Sequence, residues 1–384
     1  MLILEKPYVS SLLIDTIIKN NYPVLRNAFS EQLLAEGNNL RLVSDEEGKA
    51  EYKQNPRLYS VSENALNWIY THLKGEQIVE KIGLLKDKAV FRKMCATIYP
   101  DFFYKEIEMS ELLTFDSEQI PFPVVLKPSV GFLSAGVYVI KNQQEWNSAI
   151  EDIKQNFEKS CAQFPDYVLG ASRFLIEEYI KGEEFAVDAY FDEKGEPIVL
   201  NIFHHKFLNE EDVCDRVYNT SKSIYDKYYT LFVDFLKEVN KVMNLQNFPI
   251  HIEFRYDGKK AVPIEINPLR FAGFCLNELQ YYISGIHPVE AYLKGIKPDY
   301  EAMWKGREND TYTFLVLERP EGSTTETLVD KQKVYDYFEN ILQFRVPQDK
   351  NVNVLALLFT QTSPKNLHQL DDLLAMNMNE FVLK

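Results

Sequence analysis

Short apolar runs alternate with helical patterns along the first 85 residues. Runs such as MLILE and LRLVS are separated by stretches with helical spacing, including SSLLIDTIIKNN and ENALNWIYTHL. This alternation is typical of a parallel sheet covered by helices. We therefore predict an N-terminal parallel α/β domain over residues 1–85. The segment after the first run is KPYVS, which lacks the glycines of a dinucleotide-binding turn.

The pattern changes over the following residues. A helical stretch, LLKDKAVFRKMCATIY, precedes the strand patterns FFYKEIE, PVVLKPS and VYVIKN. A helix then begins with Asn142 as its predicted N-cap, because Trp146, Ile150 and Ile153 follow at helical spacing. A β-rich block with EFAVDAYFD and PIVLNIFHH comes next, and a long amphipathic helix separates it from a hairpin. This order of strands and helices indicates a region of mixed α and β structure.

The C-terminal residues repeat the alternation on a smaller scale. Strand TYTFLVLE is followed by helix DKQKVYDYFEN, strands LQFRV and VNVLALLFTQ, helix SPKNLHQLDDLLAM and the terminal FVLK. This order predicts a small α+β subdomain over residues 305–384.

The hairpin PIHIEFRYDGKKAVPIEINP carries polar residues at every second position. The polar positions are His251, Glu253 and Arg255 on the first strand, and Glu265 and Asn267 on the second. Side chains alternate between the faces of a strand, so each set shares one face. If both sets lie on the same side, two carboxylates and an amide oxygen form a cradle suited to Mg²⁺. A solvated outer face of an antiparallel sheet explains the same alternation, so the hairpin pattern leaves both readings open.

The turn of this hairpin decides whether the two carboxylates meet. A two-residue turn at Asp257-Gly258 would set Glu265 on the face of Ile250 and away from Glu253. An odd-numbered loop unites them, so we predict a connection of three or five residues, such as one built on Gly258-Lys259-Lys260.

Two further segments contain residues suited to nucleotide binding. Lys127 ends an apolar strand and is followed by Gly131, Ser134 and Gly136. Glycines let backbone N–H groups approach a polyphosphate, and the lysine adds a positive charge. A plain turn with a surface lysine is the alternative. The strand in LIEEYIKGEEF ends in acidic residues that suit an adenine edge and a ribose hydroxyl, although many ordinary strands end in the same way.

Taken together and in this order, the three segments resemble the ATP-grasp superfamily. The resemblance spans residues from about 86 to 300 and implies a small subdomain with its lead-in helix at 86–176 and a large subdomain with the metal site at 177–304. The first 85 residues look like the α/β domain that commonly precedes this fold. The expected fold is thus α/β and α+β, with an N-terminal parallel domain, a two-subdomain ATP-grasp fold and the C-terminal subdomain.

The resemblance also implies a role for individual residues. Lys88 and Lys127 would contact the phosphates of ATP, with Lys206 directed at them from a neighbouring strand. The adenine and ribose would be bound by Glu177, Glu178, Ile180 and Glu184. Mg²⁺ or Mn²⁺ would be bound by Glu253, Glu265 and Asn267. The family often has NPR after the metal asparagine, whereas this chain has Asn267-Pro268-Leu269-Arg270, which puts the role of the displaced arginine in doubt.

Three residues are candidates for the reacting end of the site. Arg255 and Arg270 suit a substrate carboxylate or the developing phosphate, because a guanidinium binds either in bidentate fashion. For each of them a surface ion pair is the alternative. His251 stands where some relatives carry an arginine over the transferred phosphate.

The implied activity is an ATP-dependent ligase that joins a small carboxylate, such as an amino acid or peptide, to an amine through an acylphosphate. Phosphoryl transfer needs positioning and charge neutralisation more than a protein nucleophile, which lysines and Mg²⁺ supply. A small-molecule kinase and a nucleotide-binding regulatory protein without turnover remain as alternatives.

Charge and cysteine content restrict the partners. The 42 basic and 57 acidic side chains leave a formal charge of −15, which disfavours nucleic acid as a ligand. Four dispersed cysteines without a CxxC motif fit a reducing compartment. The N-terminus lacks a signal-peptide pattern and the chain lacks a run of 18 apolar residues, so we expect a cytoplasmic protein that does not bind membranes. A homodimer is left open.

Overall fold

The computed structural model describes residues 1–130, 136–157, 170–209, 212, 214–347 and 352–383. The N-terminal elements run in the order β1 (Leu2–Ile3), α1 (Ser11–Asn20), β2 (Pro23–Leu25), α2 (Ala28–Ala35), β3 (Arg41–Val43), α3 (Asp45–Gln54), β4 (Tyr59–Ser60) and α4 (Leu66–His72). The four strands form one parallel sheet in the order β3-β2-β1-β4. The predicted parallel α/β domain is confirmed.

The small subdomain is built on an antiparallel sheet. Its elements, with the two helices that lead into it, are α5 (Gln77–Lys86), α6 (Lys88–Cys95), β5 (Tyr104–Glu108), α7 (Met109–Leu112), β6 (Val124–Val130), β7 (Tyr138–Ile140), α8 (Gln143–Asp152) and β8 (Gly170–Glu178). The strand order is β5-β8-β6-β7. Asn142 caps α8 as predicted, because its side chain accepts a hydrogen bond from the Glu145 amide.

The large subdomain contains β9 (Glu183–Phe191), β10 (Pro197–Lys206), β11 (Val217–Ser221), α9 (Lys222–Met243), β12 (Phe248–Tyr256), β13 (Ala261–Pro268), α10 (Leu279–Ser284), α11 (Pro288–Lys294) and α12 (Tyr300–Trp304). The C-terminal residues form β14 (Thr311–Glu318), α13 (Lys331–Tyr337), β15 (Ile341–Arg345), β16 (Val354–Thr362) and α14 (His368–Ala375). The C-terminal element order agrees with the sequence pattern.

One antiparallel sheet joins these two regions. Its eight strands run in the order β13-β12-β9-β10-β11-β14-β16-β15, so the C-terminal strands extend the sheet of the large subdomain. The long helix α9 covers one face of the sheet, where Phe254 packs against Phe232 and Phe235 with ring centroids 4.8 and 4.9 Å apart. The opposite face of β9, β10, β12 and β13 carries the polar residues of the hairpin, such as His251 and Glu253, and their partners on the neighbouring strands.

Among the described residues, no helix combines the length and the apolar composition that a membrane span requires. This result is consistent with the absence of an 18-residue apolar run in the sequence.

Candidate active site

Glu253 and Glu265 lie directly opposite each other on β12 and β13. Directly paired residues of an antiparallel ladder project to the same side, so the two carboxylates share a face, as predicted. The predicted loop is wrong, however. Four residues connect Tyr256 to Ala261, and the register changes between Glu253 and Phe254 because Ile264 forms a β-bulge. The extra residue that unites the carboxylates therefore lies in the strand and not in the turn.

The bulge also changes the other side chains of β13. Phe254 pairs with Pro263 and Arg255 pairs with Val262, whereas Ile252 pairs with Ile266. Val262 consequently lies on the face of Arg255. Simple alternation over the whole strand would have placed it on the face of Ile266.

Each of the two carboxylates contacts a protein cation. Lys88 Nζ lies 2.8 Å from Glu265 Oε2, and His251 Nε2 lies 3.4 Å from Glu253 Oε1. Although desolvation works against it, Lys88 lowers the pKa of Glu265 to about 2. Desolvation in the cleft raises the pKa of Glu253. Asn267 Nδ2 donates to Glu265 Oε1 at 3.2 Å, which leaves its amide oxygen for another partner.

His251 is held between two carboxylates. Its Nδ1 lies 2.9 Å from Asp188 Oδ1, on the side opposite Glu253. Burial opposes the charged form, but the hydrogen bonds to Asp188 and Glu253 outweigh it and raise the pKa of His251 to about 9. Asp188 Oδ1 also accepts from the Ala272 amide at 2.8 Å, so the same carboxylate fixes the loop that follows the hairpin.

Lys127 and Arg92 converge on the buried carboxylate of Glu177. Lys127 Nζ lies 2.6 Å from Oε1 of Glu177, and Arg92 Nε lies 2.8 Å from Oε2. Both cations also reach the bulge, since Lys127 Nζ lies 3.5 Å from the Ile264 carbonyl and Arg92 Nη2 lies 2.7 Å from the Pro263 carbonyl. Desolvation would raise the pKa of Glu177, but Arg92 and Lys127 hold it below its usual value. The single carboxylate of Glu177 therefore holds both cations in place.

Glu184 and Arg255 form a second cluster at the start of β9. Arg255 Nε lies 3.1 Å from Glu184 Oε2, and Arg255 Nη1 donates to the Tyr179 hydroxyl at 2.7 Å and to the Ile180 carbonyl at 3.2 Å. His205 Nδ1 lies 2.9 Å from the other oxygen of Glu184. The guanidinium of Arg255 is thus committed to the segment that joins the two subdomains.

The amide and the side chain of Glu178 are already paired within the small subdomain. Its amide donates to the Phe103 carbonyl at 3.0 Å, and its side chain accepts from the Phe103 amide at 3.1 Å. Gly136 has a φ of 73°, which glycine adopts without strain. Gly131 and Ser134 lie outside the described residues.

The structure contradicts the prediction that Lys206 points at the phosphates. His205 pairs with Glu184 on the polar face, so its neighbour Lys206 projects to the opposite face. There Lys206 Nζ lies 2.5 Å from Asp371 Oδ1 of α14.

Arg270 contacts the N-terminal domain. Arg270 Nη2 lies 3.6 Å from Glu63 Oε1, and the other oxygen of Glu63 forms an ion pair with Lys86. Glu63 follows β4, so the N-terminal domain supplies the carboxylate that orients the arginine next to the hairpin.

Sequence reasoning missed several residues that the structure brings into these clusters, among them Asp188, Arg92 and Glu63. Asp188 is a polar interruption in the apolar strand FAVDAYF, and that interruption was its only local signal. Arg92 and Glu63 carry no such signal, because their partners are distant in the chain. The Arg92–Glu177 pair, for example, spans 85 positions.

The oxygen donors fit a magnesium ion. Two facing carboxylates and an amide oxygen suit Mg²⁺, which is usually bound by one or two carboxylates, waters and substrate phosphates. Over the part of the chain that the structure describes, no cluster of three or more His, Cys, Asp or Glu residues forms a metal site.

Part of the chain is similar to a known protein family and to individual enzymes. Residues 120–278 match the family model for the ATP-grasp domain. The D-alanine–D-alanine ligase of Lacticaseibacillus casei is 27% identical over 179 residues, which cover 43% of this chain and 45% of the ligase. That of Bacillus anthracis is 32% identical over 121 residues, which cover 30% of this chain and 34% of the ligase. The chain thus spans less than half the length of these relatives.

Solved structures resemble the whole fold. The L-amino acid ligase of Bacillus licheniformis superposes with a TM-score of 0.69 at 15% identity, over 100% of this chain and 98% of that protein. The N5-carboxyaminoimidazole ribonucleotide synthetase of Thermotoga maritima gives a TM-score of 0.65 at 13% identity, over 99% and 98% of the two chains. At these identities the likeness concerns the fold.

Proposed function

Because this chain belongs to the ATP-grasp superfamily, with the domain at residues 120–278, we propose that it is an ATP-dependent ligase that joins a small carboxylate to an amine. The observation that carries the proposal is the pairing of Glu253 with Glu265 on one face, beside Lys88. A face that only met solvent would have no need for two opposed carboxylates with buried counter-ions.

The nucleotide would lie between the two subdomains. Lys127 and Lys88 supply positive charge for the phosphates, and the loop that ends at Gly136 would approach them through its backbone. Gly131 and Ser134 belong to the same proposal. The segment around Ile180 and the carboxylate of Glu184 would bind the adenine and ribose. Arg255 is reassigned from the substrate to the fixing of this segment, since it contacts both Glu184 and Ile180.

Glu253, Glu265 and Asn267 would bind Mg²⁺. When bound, the metal ion neutralises and orients the phosphate oxygens. Glu178 and Lys206 are left out of the proposed site, because Glu178 is committed to Phe103 and Lys206 lies on the other face. Glu177 is assigned to holding Lys127 in place.

Arg270 and His251 would act at the reacting end. Arg270, oriented by Glu63, presents a guanidinium to the substrate carboxylate. Both ring nitrogens of His251 face carboxylates, so the imidazole is held as a cation beside the metal cradle. That charge favours the negative charge that develops on the transferred phosphoryl group.

The proposed reaction has two steps. A carboxylate oxygen of the substrate attacks the γ-phosphorus, the bond to the bridging oxygen breaks, and ADP leaves. The amine nitrogen then attacks the acyl carbon, phosphate leaves, and the amine proton passes to solvent.

Two of the similar proteins are ligases of amino acids by name, which supports an amino acid as the carboxylate. Because the proposed enzyme uses ATP and Cys95, Cys214 and Cys275 are free thiols, we place it in the cytoplasm.

The proposal is tested by measuring ADP release across pairs of amino acids and amines and determining the product mass. We expect ADP to form only when both partners are present, with a product equal to their sum minus water. ADP formed with one hydroxyl compound and no amine would instead identify a kinase.

A further inference from the structure

The cradle proposed for Mg²⁺ contains protein cations in place of the metal. Lys88 Nζ lies 2.8 Å from Glu265, and His251 Nε2 lies 3.4 Å from Glu253. Each carboxylate therefore contacts one positive charge. A divalent cation that entered between them would meet two like charges at close range, and such contacts are unfavourable when they are partly desolvated.

The two lysines of the site contact different carboxylates. Lys127 is 4% exposed at its side chain, and Glu177 and the Ile264 carbonyl both bind its amine. Lys88 is 12% exposed at its side chain, and its partner Glu265 is 23% exposed. Glu265 is also the carboxylate that a metal would need. The Lys88–Glu265 contact is therefore the one that must open if a metal binds.

The backbone at Lys88 is fixed by a helix cap, and its amine lies at the end of a long side chain. Lys88 is the first residue of α6, and Asp87 caps this helix by accepting from the amides of Ala89 and Val90. Four methylene groups separate the fixed backbone from the amine, so the charge can swing by several ångströms without refolding the helix. A phosphate group bound beside Glu265 would be a new anionic partner for the released amine.

We propose that Lys88 is an internal counter-ion that holds the place of the metal at Glu265, so that the metal enters together with the nucleotide and not before it. This inference rests on the proposed function, because it takes the cradle as the metal site. On arrival of the metal–nucleotide complex, the amine leaves Glu265 for a phosphate oxygen and the metal takes its position. In the absence of nucleotide, Lys88 keeps free divalent ions out.

The test uses Mn²⁺ as the probe and the full chain as the protein, with free Mn²⁺ quantified by electron paramagnetic resonance. Without nucleotide, we expect Lys88→Met to bind Mn²⁺ about tenfold more tightly than the wild type. With ADP present the wild type should bind Mn²⁺ tightly, whereas Lys88→Met should lose about tenfold in ADP affinity. Lys88→Arg keeps the charge and should exclude free Mn²⁺ as the wild type does.

Two controls locate the effect. Lys93→Met removes an exposed lysine from the same helix and should bind Mn²⁺ as the wild type does. Lys88→Met combined with Glu265→Gln should lose the gained Mn²⁺ affinity, which would place the ion at Glu265. Circular dichroism of each variant confirms that the fold is retained.

The outcomes separate this inference from the proposed function. If the wild type binds Mn²⁺ with ADP but Lys88→Met binds free Mn²⁺ no better than the wild type, the counter-ion role is overturned and the metal site stands. If neither protein binds Mn²⁺ even with ADP, the metal cradle itself is overturned, and the proposed function fails with it.

Discussion

The two faces of the β12–β13 hairpin are built from alternate residues of the same strands and perform different tasks. One face presents Ile250, Ile252 and Phe254, all fully buried, to the rings of α9. The other presents Glu253 and Glu265, each beside a cation. The apolar and the polar residues alternate along the same two strands. Only the direction in which each side chain projects separates the two sets.

The difference shows how a sheet can supply stability and chemistry at once. The apolar face removes aromatic and aliphatic surface from water, which is the main stabilising contribution in folding. The polar face gains little net stability, since desolvation of buried ions offsets their attraction. Changes on the polar face should therefore alter activity, and changes on the apolar face should alter stability.

The largest expected effect is on the polar face. Glu265→Gln keeps the size of the side chain but removes the charge that a metal needs. We expect turnover to fall about 10,000-fold, equivalent to about 5 kcal/mol of transition-state stabilisation. The variant should remain folded, with a lower unfolding midpoint in urea because Lys88 loses its charged partner. Glu193→Gln, an exposed residue in a turn, serves as the control. Full activity of Glu265→Gln would remove the metal assignment.

The matching change on the apolar face is Phe254→Ala. It deletes a fully buried ring that packs against Phe232 and Phe235. We expect the free energy of unfolding to fall by about 4 kcal/mol, because the deletion leaves a cavity. The KM for ATP, measured at low temperature where the variant stays folded, should not change. A large KM change without a stability change would show that the two faces are not separate in function.

A smaller effect is expected from neighbouring residues at the start of β9. Glu184→Gln weakens the contacts to Arg255 and His205 and the proposed contact to the ribose. We expect the KM for ATP to rise about tenfold, or about 1.4 kcal/mol, with little change in kcat. Glu183→Gln is the matched control, since this adjacent residue lies on the other face near His204. Equal effects of the two substitutions would contradict the division between faces.

The smallest effect is expected for Lys206→Met. Its partner Asp371 is 65% exposed, and partly exposed ion pairs contribute about 0 to 1 kcal/mol. We expect kcat/KM for ATP to change less than about twofold and stability by less than about 1 kcal/mol. Steady-state kinetics and urea unfolding check both values. A tenfold loss of ATP affinity would return Lys206 to the nucleotide site.

Local patterns in the sequence predicted which residues share a face of each strand, but they did not predict how the strands β12 and β13 pair along their whole length. Period-two alternation placed Glu253 with His251 and Arg255 correctly, and a short apolar alternation predicted the N-terminal parallel sheet. The bulge at Ile264 could not be predicted in this way. Nothing in VPIEINP distinguishes a bulge from an odd-numbered turn, because both give the same pairing of the carboxylates.

The partners of the charged residues depend on tertiary packing. Lys127 was predicted to face phosphate, but its contact with Glu177 appears only when β6 and β8 are aligned. Lys206 was misplaced because the strand register of β10, and not its sequence, determines which face the side chain occupies. The contact of Glu63 with Arg270 joins separate domains, so local periodicity cannot indicate it.

The most direct test of the central claim follows oxygen from substrate to phosphate. Once a carboxylate and amine pair is identified, the carboxylate is labelled with ¹⁸O and the inorganic phosphate is analysed by mass spectrometry. A ligase that forms an acylphosphate must transfer one labelled oxygen from the carboxylate to each phosphate released. We predict that transfer in the wild type. Unlabelled phosphate formed alongside the amide product would contradict the acylphosphate route and the function proposed for this site.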